Sequence, residues 1–237
     1  MSAKVITIWG ANGSGKTTVA VNVGSALAER DFTVAIISSK LCYGELQSFF
    51  GIRIEQDRGT YKAISNGCNT KNMYVSTNNS NLFLLSPPTD FDGMLLTSIS
   101  GETIHDLIED SLIRFDYIII DGSEDLNNPI SSIGLTLATK IVKVYKVSAK
   151  CSIWHKAMEN MCELLRLNDK TINVINGYDK TCDKIAFFNS TGIKPDIEIP
   201  YIQNADILIN SGKPIYTSAF GKGLYKKSIQ RLANILM

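Results

Sequence analysis

The chain has 237 residues, 44% of them hydrophobic, and its 24 basic and 23 acidic side chains leave a net charge of +1. That length buries a substantial core in a single domain, and the balanced charge excludes bulk electrostatic attraction to nucleic acid or an anionic membrane, so such a partner requires a local patch. No apolar run approaches the roughly twenty residues that cross a bilayer, and Met1-Ser2-Ala3-Lys4 leads straight into a strand pattern rather than a leader, so a cytoplasmic location is expected.

In chain order, the run Val5-Ile6-Thr7-Ile8-Trp9 predicts a buried strand over residues 4–9. A helix over 17–30, with Val21, Leu27 and Ala28 inward, precedes a strand at 33–38 and a short helix at 44–50. Residues 51–81 are polar and rich in Asn, Thr, Ser and Gly, so they are expected to form a surface excursion, with a short helix at Tyr61-Lys62-Ala63-Ile64. A strand at 81–85 leads into a polar loop over 85–101, expected on the ligand edge. Then come a helix at 103–114, strands at 117–120 and 141–147, a helix at 152–167, strands at 172–175 and 197–199, a short helix at 205–211 and a last helix at 224–236. This alternation predicts an α/β fold, one domain over 1–237, with a mostly parallel sheet covered by helices on both faces and its ligand edge at the strands' carboxyl ends. Cys42, Cys68, Cys151, Cys162 and Cys182 are scattered without a Cys-x-x-Cys pair, which predicts free thiols, and His105 and His155 have no partner at metal-ligand spacing.

The strongest chemical signal is Gly10-Ala11-Asn12-Gly13-Ser14-Gly15-Lys16-Thr17, a complete Gly-x-x-x-x-Gly-Lys-Thr loop between the first strand and the first helix. Glycines let the backbone curl so that successive N–H groups face an anion, and the following helix adds the positive end of its dipole. This predicts binding of a nucleoside triphosphate, with Lys16 at the β- and γ-phosphates and the Thr17 hydroxyl on Mg²⁺. About a hundred residues later, Phe115-Asp116-Tyr117-Ile118-Ile119-Ile120-Asp121-Gly122 is a strand run ending in an acid, where the metal needs a carboxylate. Asp121 is therefore the candidate Walker B acid.

These pieces, with Gly15-Lys16-Thr17-Thr18, Val174-Ile175-Asn176-Gly177, Ile199-Pro200-Tyr201 and Gly212-Lys213-Pro214, resemble the MinD/ParA group of dimerising P-loop ATPases over nearly the whole chain. The resemblance implies a seven- or eight-stranded, mostly parallel sheet. It implies ATP and Mg²⁺ as cofactors, with Gly10, Asn12, Gly13, Ser14, Gly15, Lys16, Thr17 and Thr18 around the phosphates and Thr18 at the α-phosphate. Asn176 would hydrogen-bond adenine, and Pro200-Tyr201-Ile202 would lie against the base. An amide has both a donor and an acceptor for that edge.

Two positions depart from the family. Its usual loop lysine, which reaches the partner subunit's nucleotide, is Ala11, and its usual Asp-x-Asp after the second strand is Ser38-Ser39-Lys40. Losing that cation and the water-orienting acid predicts slow turnover with binding retained. Glu124 or Asp125 is a candidate substitute acid, and Lys40 a candidate substitute cation.

The C-terminal segment from Gly221 to Leu236 carries Lys222, Lys226, Lys227 and Arg231 opposite apolar residues at helical spacing. This pattern is that of a terminal helix packed on the sheet with a solvated basic face; in an ATP-bound homodimer two copies would form a modest DNA-binding patch. The chain as given ends at Met237, so attachment through the amphipathic tail of the MinD type is not expected. The resemblance therefore implies an ATP-dependent dimer that positions or assembles a partner machine, pilus or secretion assembly being favoured because loop-altered members of the TadZ and CpaE branch serve it. A ParA-like DNA partition ATPase and a non-hydrolysing nucleotide-bound scaffold are the alternatives.

Overall fold

Runs such as Tyr117-Ile118-Ile119-Ile120 are apolar on both faces of the pleat, and such strands are stable only where helices cover both sides. In the computed structural model, which describes residues 3–95, 98–179 and 181–237, this is what forms. The strands are β1 (Lys4–Trp9), β2 (Val34–Ser38), β3 (Val75–Ser76), β4 (Leu82–Leu85), β5 (Tyr117–Asp121), β6 (Lys140–Tyr145), β7 (Thr171–Tyr178) and β8 (Ile197–Pro200). They make one sheet in the order β3-β4-β2-β5-β1-β6-β7-β8, parallel throughout except that β3 pairs antiparallel with β4. The helices are α1 (Lys16–Ala28), α2 (Gly59–Ser65), α3 (Gly101–Leu112), α4 (Pro129–Leu137), α5 (Ala149–Leu164), α6 (Lys184–Thr191), α7 (Ala205–Asn210) and α8 (Leu224–Leu236). The expected α/β architecture is thus present, with eight strands.

Alternate residues of the same strands feed separate cores. Ile6, Ile8, Ile36 and Val144 pack with α1 and α8, whereas Val5, Ile37, Ile118 and Ile120 pack with Ile104, Leu107 and Ile108 of α3 and Ile130 of α4. Because α8, which also packs on β8, and the 3₁₀ turn Ile215–Thr217 flank α1, it is buried continuously from Val19 to Ala28, rather than along the single inward stripe expected. Small residues make this possible: a methyl added at Gly24 would lie 2.9 Å from Ile36 Cδ1.

Two helices and one strand were not expected. The nine-residue α4 starts at Asn128, whose side chain accepts from Ser131 N, with Pro129 in the first turn, and the eight-residue α6 starts at Asp183, which accepts from Ala186 N. Both are too short for periodicity to reveal, and the two-residue β3 is shorter still. The helix expected at 44–50 is a single 3₁₀ turn, Leu46–Phe49. Helix α5 begins three residues before its expected start, where Ser148 accepts from Cys151 N. The expected surface excursion at 51–81 is instead packed: Ile54, Ala63 and Tyr74 are buried, Tyr74 Oη lies 2.8 Å from Ser111 Oγ, and Thr70 Oγ1 donates to Asp110. Residues 1, 2, 96 and 97, which fall in the expected lead-in and loop, lie outside the described residues.

On the α5 side of the sheet, Lys143 faces inward next to Trp9 in the β1–β6 register. Its ammonium lies 5.4 Å from the ring centroids of both Trp9 and Trp154, and it donates to Cys162 Sγ at 3.4 Å. Burial holds its pKa below the usual lysine value, opposed by Cys162. A desolvated cation with no carboxylate in ion-pair contact, Glu159 acting only from farther off, is costly even among aromatic faces, so Lys143→Met is expected to keep or raise the melting temperature in circular dichroism. A fall of several degrees would contradict that.

Candidate functional site

Strand β1 stands between β5 and β6, and the chain leaves it toward β2 before returning through β5, so the carboxyl ends of β1, β2 and β5 open on one crevice. Gly10 to Gly15 turn there. Ser14 N donates to Ala11 O at 3.2 Å, and Gly15 closes the curl with φ 90°, a left-handed conformation that a side chain resists. A methyl at Gly15 would also meet Asn176 Nδ2 at 2.1 Å. Helix α1 begins at Lys16 without any side-chain cap, leaving its first N–H groups directed into the crevice.

Three side chains converge on this curl. Lys16 Nζ donates to Ala11 O at 3.0 Å and lies 3.6 Å from Glu124 Oε2; burial lowers its pKa while Glu124 and Asp121 oppose the shift. Thr17 Oγ1 donates to Asp121 Oδ2 at 2.9 Å. The other carboxylate oxygen, Asp121 Oδ1, is buried with no hydrogen-bond partner, and burial pushes Asp121 up to about 7. An orphaned carboxylate oxygen beside a hydroxyl is the hard-oxygen donor set that suits Mg²⁺. The residues fit that ion, which would be held by Thr17 and Asp121.

The crevice has two halves that share Gly13, Gly15 and Thr18. The polar half, about 170 Å³, is lined by the loop, Lys16, Thr17, Lys40, Glu45, Asp121 and Glu124. The second, about 250 Å³, is lined by Asn176, Gly177, Pro200, Tyr201, Ile202, the charged Lys146 and Asp206, and apolar side chains of α7 and α8. Asn176 Nδ2 donates to Ser14 O at 3.0 Å, which aims its amide along the loop. The structure thus brings Asn12, Gly13, Gly15, Lys16, Thr17, Thr18 and Asp121 together in one half and Ser14, Asn176, Pro200, Tyr201 and Ile202 around the other. Gly10 lines neither half; it lies beneath the curl, against Val144 of β6.

Of the departures, Lys40 and Glu124 line the polar half; Asp125 is exposed and accepts from Asn127 N in a turn. Ala11 points away from solvent, only 1% exposed, and packs with Tyr145, Cys151 and Phe187. Glu45 and Phe49 were not foreseen at the crevice; the 3₁₀ turn that stands where a short helix was expected brings them there. Helix α8 is a structural helix, burying Tyr225, Ile229, Leu232 and Leu236. Of the cations of this segment, Lys226 of α8 pairs with Glu29 at 3.2 Å and is half-buried, while Lys227 and Arg231 of α8 and Lys222 just before it are exposed. Among the described residues, no helix is long and apolar enough to cross a membrane.

Residues 3–176 match the model of a family described as an AAA domain, AAA_31. No protein of the curated set matches in sequence. Among solved structures, the septum site-determining protein MinD of Pyrococcus horikoshii, complexed with Mg-ADP, is 16% identical with a TM-score of 0.77, covering 99% of this chain and 96% of its own. The MinC:MinD cell division complex of Aquifex aeolicus is 20% identical, TM-score 0.80, covering 99% and 96%. A ParA family ATPase of Chlorobium tepidum is 20% identical, TM-score 0.79, covering 99% of both chains. The chain belongs to the AAA domain family, and its fold is that of the MinD/ParA P-loop ATPases.

Proposed function

We propose that this protein is a nucleotide-controlled ATPase that binds ATP with Mg²⁺ in the crevice, dimerises in that state and positions or assembles a partner machine. The observation that carries the nucleotide reading is the Thr17–Asp121 pair, with its orphaned carboxylate oxygen, at the foot of an uncapped glycine curl. When bound, the metal neutralises charge on the phosphate oxygens. Lys16 exchanges Ala11 O and Glu124 for phosphate, the loop N–H groups and the first turn of α1 hold the chain of phosphates, and Asn176 Oδ1 accepts from the amino group of adenine while Pro200, Tyr201 and Ile202 flank the ring. The Mg-ADP bound by the P. horikoshii protein and the MinC held by the A. aeolicus protein support the ligand and the partner-directed role. Pilus or secretion assembly is the favoured machine, on the loop alteration at Ala11. Size measurement by light scattering with ATP and with ADP tests the dimer, which should form with ATP alone.

Turnover is proposed to be slow. A buried methyl at Ala11 has no means of stabilising charge across a dimer, and Lys40 occupies the polar half where an acid would orient water. At saturating ATP, Lys40→Asp is expected to release phosphate about tenfold faster or more; unchanged or slower release would count against this reading of the position. The same two observations favour a second reading, a nucleotide-bound scaffold without catalysis, in which the ATP dimer persists and no variant at position 40 releases phosphate. The exposed Lys222, Lys227 and Arg231 would serve DNA binding only in a dimer, and salt-sensitive retention of DNA with ATP alone tests that role.

A further inference from the structure

We infer that Lys40 is the residue by which this crevice distinguishes a nucleoside triphosphate from a diphosphate, an inference that rests on the nucleotide reading above. The backbone around it is fixed from two sides. Ser39 N donates to Asp121 O at 3.0 Å at the end of β5, and Asn128 Nδ2, at the head of α4, donates to Ser39 O at 2.7 Å. Lys40 N donates in turn to Ser38 Oγ at 3.1 Å. The position is therefore held beside the metal-binding pair, Thr17 and Asp121.

Its side chain is held far less tightly. The ammonium lies 3.9 Å from Glu45 Oε2, without a hydrogen bond, and 5.6 Å from the Tyr43 ring centroid, with 41% of the side chain exposed. Half-exposed ion pairs at that distance contribute little, whereas an ammonium that donates to a phosphate oxygen makes a charge-assisted bond. Giving up Glu45 for phosphate is therefore favourable.

Lys16 and Lys40 are the two lysines lining the polar half among the described residues, and each faces a carboxylate, Glu124 and Glu45. Lys16 springs from the loop and reaches the β-phosphate, which both nucleotides share, together with the γ-phosphate. Lys40 enters from a second segment, just past the end of β2, and matches the extra negative charge that the third phosphate brings. Glu45 competes with that phosphate for the same ammonium.

The test is calorimetric titration of the parent, Lys40→Gln, Lys40→Arg and Glu45→Gln with ATP and with ADP at one magnesium concentration. Lys40→Gln should weaken ATP by roughly 10- to 100-fold and ADP by less than about threefold. Lys40→Arg should retain most of the preference, and Glu45→Gln should tighten ATP selectively. Equal losses for both nucleotides, or no loss for either, would overturn the role of Lys40 while leaving the nucleotide reading intact. A parent that binds neither nucleotide would overturn both.

Discussion

Lys16→Ala is expected to weaken ATP binding on the order of 100-fold, about 3 kcal/mol, while leaving the fold intact. In the ligand-free protein Lys16 is desolvated, and its partners are one carbonyl and a carboxylate 3.6 Å away. Its removal relieves a buried cation and leaves Asp121 still bonded to Thr17 and Glu124 able to turn to water. The melting temperature should therefore stay level or rise, while the triphosphate loses its strongest donor. Fluorescence titration alongside a thermal melt separates the two: lost affinity with a lost fold would point to a structural lysine instead.

Gly10→Ala should cost far more stability than Gly13→Ala in the same curl. A methyl at Gly10 would stand 2.2 Å from Val144 O, a backbone atom of the neighbouring strand that has no rotamer to adopt. The loop or β6 must move, at a cost of about 3 kcal/mol, which in a chain of this size lowers the melting temperature by roughly 6–12 °C. Gly13→Ala is the control. It meets nothing within 4 Å and is penalised only by its φ of 80°, about 1–2 kcal/mol. Equal melting temperatures for the two variants would show that the close approach to Val144 is unimportant.

The phosphate curl and Asp121 were legible because their geometry is short-range: a strand, a glycine turn and a helix in sequence, and an acid at the end of a strand. The alternation of apolar runs announced seven of the eight strands, but neither the two-residue β3 nor the order of the strands in the sheet. What escaped was decided by packing. Nothing in Leu41 to Phe50 announces that a 3₁₀ turn would bring Glu45 and Phe49 to the crevice. Nor does a Gly-x-x-x-x-Gly spacing reveal that the loop turns Ala11 into the core against Tyr145. Glu124 and Asp125 are adjacent acids of equal standing in sequence, and only the turn at Asp125 to Asn127 separates the one that lines the cleft from the one that faces solvent. The short helices α4 and α6 are specified chiefly by their caps, Asn128 and Asp183, rather than by periodicity.

The central claim is that the curl from Gly10 to Thr17 and the carboxylate of Asp121 together hold a magnesium-complexed triphosphate. Isothermal titration of the purified protein with ATP tests it most directly. One saturable site per chain, weakened when magnesium is chelated and when Asp121 is changed to Asn, is the predicted result; no saturable heat in the presence of magnesium would contradict it.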